Sequence, residues 1–109
     1  YPSPAVESRI LGGIASKLGV TDTDFCKRLV DWADIIRKTF YDGGIEEIIS
    51  TRRLVHILRA YSIFNDKAKS IKVCVSRFDD ETKQSFLELY DKVDADFQFD
   101  KAEDEAYND

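Results

Sequence analysis

Apolar positions recur at helical spacing along most of this chain, and no stretch shows the strict alternation of a half-buried strand. Val6, Ile10, Leu11, Ile14 and Leu18 make a first stripe. Ser3-Pro4 ahead of it reads as an N-cap followed by proline in the first turn, where a missing N–H costs little. Gly19 closes that helix where left-handed geometry is favoured. A second helix is predicted to begin near Thr21 or Asp22. Phe25, Leu29, Trp32, Ala33, Ile36 and Phe40 lie on one of its faces and Lys27, Asp31, Asp34 and Lys38 on the other. Asp42-Gly43-Gly44 stops it. Ile45 to Ile49 is too short for periodicity to decide, and reads as a brief extended segment or a turn.

Ser50 predicts a third helix, running to about Phe64. Asn65-Asp66 breaks it and caps a fourth, with Ala68, Ile71, Cys74, Val75 and Phe78 inward. Asp79 caps a fifth, whose apolar face is Phe86, Leu87, Leu89, Tyr90 and Val93. Five helices with short connections predict a compact all-α bundle over residues 1–93, followed by an acidic, partly disordered tail over 94–109.

Charge sharpens that division. The chain carries 16 Lys and Arg against 21 Asp and Glu, a net charge of −5. From Asp91 to Asp109 there are eight acids and two bases, so this end carries −6 and residues 1–90 carry +1. Such a tail reads first as a solvated end. Its aromatics Phe97, Phe99 and Tyr107 keep a protein-docking role open. No apolar run approaches the length of a membrane span, and no secretory signal is present. The sequence has no methionine and opens Tyr1-Pro2-Ser3-Pro4, which reads as a piece of a longer protein, and Cys26 and Cys74, read as reduced thiols, point to a cytoplasmic one.

Most catalytic patterns are missing. There is no phosphate loop, no dinucleotide-binding glycine pattern, no paired-histidine zinc motif and no nucleophile elbow. Cys26 and Cys74 stand 48 positions apart, and with only His56 beside them they cannot complete a tetrahedral zinc site. They read as reduced, half-buried thiols. The candidate chemistry lies in Ser50-Thr51-Arg52-Arg53-Leu54. At 100° per residue, Leu54, Ile57, Leu58 and Tyr61 share the core side, while Arg52, His56 and Arg59 share the opposite one. Arg52 falls in a first turn, where unpaired N–H groups and the helix dipole favour an anion. A guanidinium there can grip a phosphate oxygen. The plainer alternative is a solvated basic face pairing with Glu46, Glu47 or the tail.

These residues also resemble a known family. Tyr1-Pro2-Ser3-Pro4-Ala5-Val6-Glu7-Ser8-Arg9-Ile10-Leu11 is similar to the junction between ATPase core and helical lid in MoxR-type AAA+ proteins. The likeness is to the branch holding the cobaltochelatase subunit CobS and its phage-borne relatives. Ser50-Thr51-Arg52 resembles the Ser-Pro-Arg-like motif that carries the sensor-2 arginine, with Thr51 where the family often has proline. Arg77-Phe78-Asp79 and Phe86-Leu87-Glu88-Leu89-Tyr90 look like the C-terminal part of CobS-like proteins. The resemblance covers residues 1–93 and implies a lid that closes over ATP and Mg2+ bound by a parent ATPase. It implies Arg52 as the sensor-2 residue, with Arg53 as a second nucleotide-facing candidate. Walker A, Walker B, sensor 1 and the arginine finger would then lie upstream of Tyr1, so this stretch alone would hydrolyse nothing and bind no cofactor. Expected partners are that core and neighbouring subunits of a ring. The competing expectation is a helical protein-interaction module docking a basic partner through its tail. Nucleic-acid binding through Arg52, Arg53 and Arg59 is disfavoured, because the body is nearly neutral and the tail would repel phosphates.

Overall fold

A computed structural model describes residues 3–44 and 47–94. Over them the chain forms five helices and no strand: α1 (Pro4–Leu18), α2 (Thr23–Tyr41), α3 (Thr51–Phe64), α4 (Lys67–Val75) and α5 (Asp80–Val93). Each starts at a side chain that satisfies a free N–H of its first turn. Ser3, Asp22, Ser50, Asp66 and Asp79 accept from the backbone N–H of Val6, Phe25, Arg53, Lys69 and Thr82. Gly19 ends α1 at φ 75°, and Asn65 ends α3 at φ 53°. The second of these is a position that asparagine tolerates better than most residues.

The all-α expectation holds. The core runs through every helix, from Leu11 and Ala15 of α1 to Phe86 and Tyr90 of α5, with Phe25, Leu29, Trp32, Ala33 and Ile36 along α2 between them. Helix α2 packs on α1, α3 and α5, while α3 also packs on α1 and α4. Trp32 makes the α2–α5 joint. It is fully buried, meets Phe86 and Tyr90 edge-on, and donates its indole N–H to the Phe86 carbonyl at 2.8 Å. Arg28 reaches across the same joint to the carbonyl of Val93 at 2.9 Å, close to the negative end of α5.

One expected stripe turns. On α1 the buried positions are Glu7, Leu11 and Ala15, whereas Val6 and Ile10 are 41% and 39% exposed. Leu11 keeps its expected inward place, and the face turns by about 65°, less than the 100° step of one residue. A carboxylate thus lies inside where valine and isoleucine were expected. Ile45 and Glu46 fall outside the described residues. Glu47–Ser50 is neither helix nor strand, and Ile49 within it is fully buried. Cys26 is buried and Cys74 half-buried, and both are free thiols. The tail aromatics Phe97, Phe99 and Tyr107 lie outside the described residues. Asp94, placed by sequence at the start of the tail, is only 6% exposed and accepts from the Tyr90 hydroxyl at 3.3 Å.

Candidate functional site

The start of α3 is held by a buried polar network that reaches three other parts of the chain. Glu7 comes from the first turn of α1, where a carboxylate is favoured by the dipole. Arg37 comes from the last third of α2. Its Nη1 and Nη2 donate to the two carboxylate oxygens of Glu7 at 2.9 and 2.8 Å, a bidentate pairing. Its Nε and Nη2 also donate to the Ile49 carbonyl, at 3.2 and 3.1 Å. Thr51, the first residue of α3, donates its hydroxyl to Glu7 Oε2 at 2.5 Å. Glu7 is fully buried and Arg37 7% exposed, so the charges are out of water and almost wholly compensated by each other.

Sequence periodicity missed this network. It placed Glu7 and Arg37 on no face in particular, because a charged residue in an apolar stripe carries no sign of its partner 30 positions away. The available signal was weak: Glu7 falls on a 7, 11, 15, 18 spacing with Leu11, Ala15 and Leu18, which fits a helical face as well as the spacing through Val6 does.

On this scaffold the three outward residues fall where the helical angles put them. Arg52, His56 and Arg59 are all exposed, and with Thr51 and Val55 they line a shallow open depression along α3. Arg52 makes no side-chain hydrogen bond or ion pair with any described residue, Glu47 included. Glu46 and the tail residues beyond Asp94 are not described. Arg53 is engaged instead. Its guanidinium lies 4.9 Å from the centre of the Phe78 ring, a cation–π contact, and its carbonyl faces the Cys74 thiol at 3.8 Å. The two arginines are therefore not equivalent: Arg52 is exposed and has no partner among the described residues, while Arg53 braces α3 against the α4–α5 turn.

Behind Arg53 a cleft of about 110 Å³ lies between α3 and α4, lined by Arg53, His56, Ala60, Val73, Cys74 and Arg77 among others. Burial pushes the Cys74 thiol above its ordinary value, against the opposing pull of Arg53 and Arg77. Residues 51–78 hold seven Lys and Arg and a single acid, Asp66, so the α3–α4 hairpin is the cationic part of the described chain. Among the described residues no group of three or more His, Cys, Asp or Glu is placed to hold a metal ion. No described helix is long and apolar enough to cross a membrane.

The family described as CbbQ/NirQ/NorQ C-terminal matches residues 9–93, from the first turns of α1 to the last residue of α5. The chain belongs to that family. The CbbQ/NirQ/NorQ C-terminal domain is a helical lid of MoxR-type AAA+ ATPases, and the five-helix body is that lid. No curated protein and no solved structure matches the chain. Within this domain Thr51 has a use that proline could not fill. Its hydroxyl is the group that reaches Glu7, and proline has no side-chain donor.

Proposed function

We propose that this domain closes over ATP held by a MoxR-type AAA+ core and that Arg52 is its sensor-2 arginine. The observation that carries the reading is the contrast between neighbours. Arg52 stands exposed in the first turn of α3 without a partner among the described residues, while Arg53 is turned onto Phe78. A guanidinium at that point adds its fixed donors to the free N–H groups of a helix start, and together they suit a terminal phosphate. The contribution of this chain is one positive group brought to a phosphate oxygen, where charge develops as the phosphoryl group transfers. The cradle for the other phosphates, the ligands of Mg2+ and the positioning of the attacking water belong to the core in this reading. ATP and Mg2+ are therefore cofactors of the longer protein.

Partners follow from the same assignment. Val6 and Ile10 form an exposed apolar strip on α1, near the proposed junction, and this is the surface assigned to the core. Neighbouring subunits of a ring would meet other faces of residues 1–93. Closer kinship with CobS, chelatase-related work and a phage-type parent rest on the resemblance of the opening residues and of Ser50-Thr51-Arg52, and a cytoplasmic setting rests on Cys26 and Cys74 read as reduced thiols. The acidic segment beyond Asp94, which is itself buried against Tyr90, is assigned to a protein partner.

The test is Arg52→Ala in the longer ATPase. Turnover at saturating ATP should fall by about 100-fold, as when one donor to a transition-state oxyanion is removed, with helical content unchanged. Equal turnover in the variant would remove Arg52 from the reaction. Arg53→Ala should instead loosen the α3–α4–α5 packing and lower thermal stability.

A further inference from the structure

The buried network carries more than its share of stability explains. Replacing a buried ion pair by apolar groups of like volume is often neutral, so such a pair is a poor way to gain stability. What it supplies is direction. A guanidinium is planar with five donors in a fixed fork, and here four hydrogen bonds use that fork at once. Two go to Glu7 of α1 and two to the carbonyl of Ile49, the residue just before the Ser50 cap. Glu7 then shares Oε2 between Arg37 Nη2 and the Thr51 hydroxyl. Threonine is β-branched and stiff about χ1, so this bond fixes the rotation of α3 about its own axis at its first residue. Arg52 follows at 100° of helical rotation.

We propose that Glu7, Arg37 and Thr51 form a latch that ties the start of α3 to the first turn of α1, and thereby sets the direction in which Arg52 leaves the domain. Glu7 and Thr51 are positioning residues: Glu7 is fully buried and the Thr51 hydroxyl is engaged by it. Glu7 meets both Arg37 and Thr51, so beside the packing of α1 on α3 its carboxylate couples the start of α1 to the start of α3. The consequence for ATP rests on the sensor-2 reading above. The positional statement does not.

The experiment is amide hydrogen exchange on the 109-residue chain, comparing wild type with Thr51→Val, Thr51→Ser and, as a core control, Ile36→Val. Thr51→Val keeps the shape and removes the hydroxyl. Exchange at Leu54 and Val55 should rise by about tenfold beyond any change elsewhere, the factor for one lost charge-assisted hydrogen bond. Thr51→Ser should restore wild-type protection there, and Ile36→Val should raise exchange evenly across α2 and its neighbours. Unchanged exchange at Leu54 and Val55 in Thr51→Val, or an even rise without rescue by serine, overturns the latch. In the longer ATPase, Thr51→Val should lower kcat with little change in KM, and should add nothing to Arg52→Ala. If Arg52→Ala leaves turnover intact while Thr51→Val still exposes the α3 start, the sensor-2 reading fails and the latch stands.

Discussion

Removing Arg37 tests the energetic side of the buried network. In Arg37→Met, the Glu7 carboxyl stays at zero exposure with only the Thr51 hydroxyl left of its described partners, and the Ile49 carbonyl loses both Arg37 donors. Breaking a buried ion pair by deleting one member costs about 3–5 kcal/mol. Domains of this size are stable by only about 5–15 kcal/mol in total, so the loss is a large share. At about 4–8 °C per kcal/mol for a domain near 100 residues, the midpoint should fall by roughly 12–40 °C. The Glu7→Met/Arg37→Met double variant should behave differently. Its two thioether chains pack without charge, and the remaining penalty is the orphaned Ile49 carbonyl, about 1–3 kcal/mol, with a smaller one for the half-buried Thr51 hydroxyl that loses Glu7. The double variant should therefore be more stable than Arg37→Met alone. Urea unfolding followed by fluorescence of Trp32 reads this directly, since it is the single tryptophan and lies in the core. An Arg37→Met cost under about 1 kcal/mol would refute the argument, as would a double variant as unstable as the two single changes added together.

Other expectations are simpler. Trp32→Phe removes the indole donor to the Phe86 carbonyl, which keeps only its bond within α5, and leaves a gap in the α2–α5 joint, so denaturation followed by far-UV circular dichroism should show a loss of about 2–3 kcal/mol. Although burial opposes it, the hydrogen bond from Lys67 together with the Phe25 N–H holds the Asp22 carboxyl below its ordinary 3.8, and Asp22 in turn holds Lys67 above 10.5 against burial. The Asp22 contribution is complete above the ordinary carboxyl value and is lost as pH falls through the lower folded one. The Lys67 contribution is complete below the ordinary ammonium value and is lost as pH rises through the higher folded one. Asp22→Asn keeps the cap but not the charge, so its deficit, about 1 kcal/mol or less, should be constant between about pH 5 and 9 and shrink in acid below that. A deficit that grows in acid would contradict this. Burial raises both thiols, so Cys26 and Cys74 should alkylate more slowly at pH 8 in the folded chain than in urea. Equal rates would show that the helices open freely around them.

Much of the local architecture is written in short signals. Ser50 and Asp79 cap because their oxygens can reach an N–H three residues on, a fact of covalent geometry that needs no knowledge of the rest of the chain. The same holds for the outward placement of Arg52, His56 and Arg59, which follows from 100° steps once Leu54, Ile57 and Leu58 are taken into the core. The basic face of α3 was therefore visible in the sequence.

What the sequence left open is decided by contacts between distant residues. Along α1, Val6 and Glu7 offered two faces of nearly equal helical merit, and the balance tips only because Arg37 and Ile49 arrive to compensate a buried carboxylate. The difference between Arg52 and Arg53 has the same origin. Adjacent in sequence and alike in chemistry, they are separated by the arrival of Phe78 over one of them. Local periodicity fixes which helices form and roughly which way each faces. Burial of charge and the choice between neighbouring arginines depend on what other helices bring to the spot, and that is a property of the packed bundle alone.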